Sequence, residues 1–198
     1  MQPAHYALTE ILIVLSCIYS IKELSIKKNY FAIIGISLIG IAALVGAIKF
    51  GLLNNELMIQ LNQKLGFYAG FVCISFICIQ MALNLEWGKI SKLLILLALL
   101  TIVLSIFLPK QYIIYYLFFW SSVSIILVLF FQEKDLTKKV LRAFKMSILI
   151  LSFLTLSRNG IFVEAIGPMT SFHLFHILIA LWIYLINSLI HKNITYQN

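Results

Sequence analysis

The chain has 198 residues, 62% of them hydrophobic and 11% charged, and its mean hydropathy is +1.03. Soluble domains carry roughly 45–50% apolar and about 25% charged residues, so this composition excludes an ordinary soluble domain and points to an integral membrane protein. The net charge of +8 would suggest nucleic acid in a soluble protein, but here the basic residues sit in short joints between apolar runs, where they read as topology signals; no nucleic-acid partner is expected.

Reading for apolar runs bounded by charges predicts one membrane domain over residues 1–198, an all-α bundle of seven transmembrane helices. The predicted spans are Tyr6 to Ile21, Tyr30 to Leu53, Leu65 to Leu85, Ile90 to Leu108, Tyr112 to Phe131, Val140 to Leu156 and Met169 to Ile190. Most are close to the ~20 apolar residues that cross a hydrocarbon core. The first is short and carries Glu10. Its Val14-Leu15-Ser16-Cys17 looks like a lipoprotein cleavage box, but no Lys or Arg precedes the run, against the usual signal-peptide pattern.

The second span is rich in small residues, Gly35, Ser37, Gly40, Ala43, Gly46 and Ala47, and the third opens Gly66-Phe67-Tyr68-Ala69-Gly70. Small residues let backbones approach where no hydrophobic force drives association. Both helices are therefore expected to be central, with Gly66 and Gly70 packed inside the bundle; the alternative is a dimer formed through Gly66 and Gly70. Between these spans Leu57, Met58, Leu61 and Leu65 share a face, which predicts either a short helix lying in the outer interface or a polar loop.

Further along, Thr101 and Ser105, Ser121, Ser122 and Ser124, and Ser147, Ser152 and Thr155 are expected to bond back to helix carbonyls or to a neighbour. Tyr112, Tyr115, Tyr116 and Trp120 read as an aromatic anchor at headgroup level. Arg142 and Lys145, at the start of the sixth span, can snorkel to the interface. Cys17, Cys73 and Cys78 lie inside spans, form no C-x-x-C pair, and read as packing residues.

If all seven spans cross, Lys22, Lys27, Lys28, Lys89, Lys92, Lys134, Lys138, Lys139, Arg142, Lys145 and Lys192 share one side. Lys49, Lys64, Lys110 and Arg158 share the other, eleven against four of the fifteen basic residues. The excess marks the cytoplasmic side. The N-terminus is then outside and the C-terminus cytoplasmic, in a plasma membrane such as the bacterial inner membrane.

The seventh span opens at Gly167-Pro-Met-Thr-Ser-Phe-His-Leu-Phe-His176. At about 100° per residue, Tyr184, Asn187 and His191 fall within about 40° of His173, with His176 about 60° from it. Polar groups in hydrocarbon are costly unless they face the bundle interior, so this stripe is expected to point inward. The topology also gathers His5, Glu10, Lys49, Glu56, Glu164 and Ser171 at or near the outer helix ends.

His173 and His176, three residues apart, can share a metal, with His5, Glu10 or Glu164 as a third ligand. Catalytic zinc needs three protein ligands and an open position for water. The competing reading is hydrogen-bonded packing, with the histidines held by Thr9, Ser16 or Glu10 of the first helix; Glu10 paired with Lys49 or Arg158 is a further alternative.

Seven spans, an outside N-terminus, a small-residue second span and Ser171-Phe-His-Leu-Phe-His176 together resemble the superfamily of alkaline ceramidases, progestin/adiponectin-type receptors and haemolysin-III-like proteins. The resemblance implies a zinc-dependent amide or ester hydrolase acting on a membrane lipid. In that superfamily the zinc is held by histidines of the second and seventh helices with a nearby Ser and Asp, and of these Ser171 and His176 match here. Together with the residues that the topology gathers, the expected site is Ser171 and Glu10 for catalysis and His173, His176 and His5 for the metal. The family's seventh-helix pair is spaced H-x-x-x-H, one residue wider than His173 and His176, and its second span supplies a histidine that Gly46-Ala-Ile-Lys-Phe-Gly51 lacks. A non-enzymatic ligand-binding protein, small carrier or assembly partner is the alternative.

Overall fold

The computed structural model describes residues 4–53, 55–85, 88–107, 110–130, 135–156 and 161–190, and the architecture below concerns these. They form eight α-helices and no strand: α1 Tyr6–Ile26, α2 Tyr30–Gly51, α3 Glu56–Asn84, α4 Gly88–Phe107, α5 Lys110–Phe130, α6 Leu136–Leu156, α7 Ile161–Ile166 and α8 Pro168–Leu189. Three of them, α2, α3 and α8, are long and apolar enough to cross a membrane.

Two local features depart from the sequence expectation. The short interfacial helix or loop before the third span is instead the first part of α3, which runs unbroken for 29 residues. Asn55 starts it, its side chain accepting a hydrogen bond from the Met58 amide at 2.9 Å, and the polar residues that follow are mostly good helix formers with no Pro among them. At about 1.5 Å per residue α3 is about 43 Å long, well beyond a hydrocarbon core of about 30 Å. The second departure is α7, six residues that end at Gly167. There φ is +80°, a conformation glycine adopts without a Cβ penalty, and Pro168 then opens α8 with its ring fitted to the first helical turn.

The helices pack as a ring in the order α1, α2, α3, α5, α6, α8 and back to α1, with α4 laid mainly on α3. On α2, a Cβ at Gly35 would lie 2.9 Å from the Cys73 backbone, and one at Gly40 would lie 3.2 Å from the Cys17 side chain. These glycines bring α2 against both α3 and α1. Cys17, Cys73 and Cys78 are buried free thiols that pack there. The centre of α3 is enclosed on several sides, and Phe71, Ile74, Ile77 and Met81 have no exposed surface.

Gly66 and Gly70 do not pack as expected: among the described residues a Cβ on either would meet nothing within 4 Å. The close approaches fall on α2; in this part of α3 it is Ala69 that is buried, and Gly66 and Gly70 lie on a side that no described residue covers closely. The aromatic anchor is also corrected. Tyr115 is exposed, but Tyr116 faces Phe71 at 5.9 Å between ring centroids and Trp120 is fully buried. Tyr115 thus faces out, whereas Tyr116 and Trp120, one turn apart, share the inner side of α5; the Tyr112 side chain lies outside the described set.

Five of the hydroxyls bond back to their own helices: Thr101 to Ala98, Ser124 to Ser121, Ser147 to Phe144, Ser152 to Leu149 and Thr155 to Ser152. Ser121 does not follow the expectation, its hydroxyl being buried with no hydrogen-bond partner among the described residues. At the other end of the bundle Asn84 ties three helices together, donating to Asn29 Oδ1 at 3.2 Å and to the Ile190 carbonyl at 2.8 Å.

Candidate functional site

The seventh-span stripe does not face one way. Tyr184 is 51% exposed and its ring stacks near Tyr19 at 5.1 Å, while Asn187 is buried and donates to Ser20 Oγ at 3.1 Å; His191 lies outside the described residues. The reason is that α8 has two buried sides. His176, Ala180, Ile183 and Asn187, spaced four, three and four residues apart, form the face toward α1. Ser171 looks the other way, its hydroxyl donating to the Thr155 carbonyl of α6.

At the end of the bundle where α1 and α8 begin, polar side chains from four helices meet. Glu10 of α1, Lys49 of α2 and His176 of α8 are 5%, 4% and 7% exposed, and Asn62 reaches in from α3. Burying ions costs several kcal/mol each, so such groups are retained only with partners. Glu10 Oε1 lies 3.2 Å from His176 Nε2. Lys49 Nζ donates to Asn62 Oδ1 at 3.3 Å and lies 4.2 Å from the centre of the Phe50 ring, and Asn62 Nδ2 donates to the Ala42 carbonyl at 3.4 Å.

Hydrogen-bond bookkeeping fixes where the protons sit. His176 Nδ1 is 2.8 Å from the Phe172 carbonyl; a carbonyl only accepts, so Nδ1 carries hydrogen. The Nε2 contact with Glu10 then needs a hydrogen of its own, because a carboxylate oxygen and a bare ring nitrogen repel. The pair therefore holds one proton, as imidazolium with carboxylate or as imidazole with carboxylic acid.

Thr9 settles His173 in the same way. Its hydroxyl donates to the Tyr6 carbonyl at 3.2 Å and so accepts from His173 Nδ1 at 3.3 Å. The His173 ring is 5.1 Å from that of His5, which precedes α1 and is exposed. Phe172 covers His176 at 4.0 Å, Tyr6 stacks on Phe172 at 4.1 Å, and Phe50 meets both edge-on. An aromatic layer thus lies over the Glu10–His176 pair on the side of His5 and His173.

The candidate zinc ligands do not converge on one point among the described residues. Both ring nitrogens of His176 are engaged, His173 turns its Nδ1 to Thr9, Glu164 is exposed on α7, and no group of three or more His, Cys, Asp or Glu able to hold a metal occurs among the described residues. Ser171 and His176 face different helices and do not form a nucleophile–base pair. Glu10 takes His176 as its partner at this distance, and Arg158 lies outside the described residues. Of the holders expected in the packing alternative, Thr9, Ser16 or Glu10, it is Thr9 that meets His173 and Glu10 that meets His176.

Sequence reading missed Asn62, which looked like part of a polar surface segment, and the role of Gly46. A Cβ on Gly46 would lie 2.4 Å from Glu10 Oε1 and 3.0 Å from Asn62 Nδ2. Its place among small residues was visible; that it faces a carboxyl was not. The chain matches no family model, no curated protein and no solved structure.

Proposed function

We propose that this chain is a seven-crossing plasma-membrane protein, N-terminus outside, that binds a ligand from the outer leaflet, without cleaving it, at a site that holds a proton between Glu10 and His176. The observation that carries the reading is the buried 3.2 Å contact of Glu10 Oε1 with His176 Nε2, with Nδ1 already committed to the Phe172 carbonyl. Ionisable groups inside a membrane bundle are kept for ligand, ion or proton handling. Here the Glu10 carboxyl meets His176 and the Lys49 ammonium is held by Asn62 and the Phe50 ring, so the cluster can stay buried and still exchange a proton.

The topology has independent support. Six of the seven predicted spans lie in α1, α2, α4, α5, α6 and α8 and the other in the lower two-thirds of α3, and basic residues divide eleven to four between alternate joints. Thr9 opposite His173 and Ser20 opposite Ile183 make α1 and α8 parallel, as the first and last of seven crossings must be. With the N-terminus outside, the cluster sits within about the first two turns of the outer helix ends.

Nitrogen-15 spectroscopy of the His176 side chain in full-length protein, held in lipid nanodiscs, tests the reading. An Nε2 signal that changes in Glu10→Gln is expected, whether Nε2 donates to the carboxylate or accepts from the carboxylic acid. An Nε2 indifferent to Glu10→Gln ends it. Turnover of an amide- or ester-linked membrane lipid by the purified protein, abolished by Ser171→Ala, would replace it with the hydrolase reading.

A further inference from the structure

We propose that Asn62 is a positioning residue of this site: by occupying the Lys49 ammonium it leaves the Glu10 carboxyl to His176. The inference rests on the proton-holding reading above and concerns what maintains it.

Gly46 is the point at which the groups converge. The place its Cβ would take is 2.4 Å from Glu10 Oε1 and 3.0 Å from Asn62 Nδ2. The carboxyl of α1 and the amide of α3 therefore lie against the same gap in α2. Lys49 is three residues further along α2, close to one turn. Its ammonium is nevertheless seated on Asn62 Oδ1 at 3.3 Å and on the Phe50 ring.

Two arrangements compete for one carboxyl. In the observed one Glu10 meets His176 and Lys49 meets Asn62. In the other Lys49 takes Glu10, and His176 keeps only its bond to Phe172. An ammonium–carboxylate bond is stronger than an ammonium–amide bond, so Lys49 in isolation would choose Glu10. Asn62 tips the balance by geometry. Its amide nitrogen is tied to the Ala42 carbonyl at 3.4 Å, which aims its oxygen at Lys49. A buried ammonium that lost this acceptor would turn to the nearest anion, because an unpaired buried charge is the costliest outcome.

Asn62 occupies the seventh position of α3, on the stretch that extends the helix past its apolar span. The feature that lengthens α3 is thus what delivers an amide to the level of Glu10 and Gly46. A third span beginning at Leu65, as the hydropathy pattern suggests, would have left Lys49 to Glu10.

The test uses full-length protein in nanodiscs and the His176 nitrogen signal. Asn62→Leu, which keeps the volume and removes the acceptor, is expected to lose the Glu10-dependent Nε2 signal; Asn62→Ala is a smaller change that reports the same way. Asn62→Asp keeps an oxygen in place and should retain it. The decisive variant is the double change Asn62→Leu with Lys49→Met, which removes the competitor and should restore the signal to His176. Retention of the wild-type signal in Asn62→Leu and Asn62→Ala, or no restoration in the double variant, overturns the proposal. If the wild type itself lacks a Glu10-dependent signal, the reading of the site fails before the role of Asn62 is reached.

Discussion

The carboxyl of Glu10 lies in the space a side chain on Gly46 would fill, with Oε1 2.4 Å from where that Cβ would be. Glu10 therefore reaches His176 through a gap in α2, and the gap cannot close without moving the carboxyl. Gly46→Ala is expected to displace Glu10 from His176 and to destabilise the protein by about 3 kcal/mol, in the range for breaking a buried pair. Thermal unfolding in detergent measures this. Adding Glu10→Ala to Gly46→Ala should cost little more, since the clash and the pair disappear together, whereas additive losses would show that Gly46 acts elsewhere.

Removing one member of the Glu10–His176 pair should be worse than removing both. Glu10→Leu strands His176 Nε2, and His176→Leu strands a buried carboxyl; each is expected to cost about 3–5 kcal/mol. The double variant Glu10→Leu with His176→Leu leaves apolar groups of similar bulk and should recover a substantial part of either loss. A double-mutant cycle with a coupling energy near zero would show that the 3.2 Å contact carries no interaction.

The glycines of α2 and α3 should respond oppositely to enlargement. A Cβ at Gly35 would press on the Cys73 backbone at 2.9 Å, and backbone cannot yield as the end of a side chain can. Gly35→Ala is expected to destabilise by about 1–3 kcal/mol through overpacking. Gly66→Ala and Gly70→Ala meet nothing within 4 Å among the described residues and should be neutral or slightly stabilising, by up to about 1 kcal/mol, since alanine is the better helix former. Light scattering of Gly66→Leu and Gly70→Leu against wild type also decides the dimer: a dimer formed through that face would be lost in both.

Metal analysis bears on the lipid-hydrolase resemblance. With His176 engaged at both nitrogens and Ser171 turned to α6, the purified wild type is expected to carry no stoichiometric zinc. One zinc per chain, absent from His173→Ala and from His176→Ala, would contradict this expectation and revive the hydrolase. The two variants separate a bound ion from incidental zinc, because His173 and His176 hold different partners here.

Much of the fold was legible because hydropathy reports helices directly: a stretch that must satisfy its own backbone polar groups in hydrocarbon has to be helical. What was not legible were facts decided by neighbours. Periodicity grouped Tyr184 with Asn187, yet α8 is buried on two sides and Tyr184 falls between them. Gly66 and Gly70 carried the same spacing signal as the α2 glycines, but a spacing cannot say whether another helix stands opposite. At the site, Glu10, His173 and His176 were visible as ionisable groups in apolar surroundings, and Thr9 as a hydroxyl within reach. Asn62 was not, since it sat among Gln60, Gln63 and Lys64 in a segment that hydropathy places outside the membrane. Only the unbroken course of α3 carries it inward.

The relative direction of α1 and α8 leads to the last prediction. Contacts pair Thr9 with His173, Glu10 with His176, Ser20 with Ile183 and Asn187, and Lys27 with the Asn187 carbonyl, so residue numbers rise together along both helices. If α1 and α8 each cross a bilayer, an odd number of crossings separates the chain ends, and the two ends lie on opposite sides. Membrane-impermeant labelling of single cysteines, placed at Gln2 and at Gln197 in a background with Cys17, Cys73 and Cys78 changed to alanine, should reach Gln2→Cys in intact cells. Gln197→Cys should react only after the membrane is opened. Labelling of both from outside would contradict the seven-crossing topology, and with it the placement of Glu10 and His176 near the outer leaflet. The same contacts would then have to be met by helices that do not both cross, and the buried charge of Lys49 would need a partner reached from water.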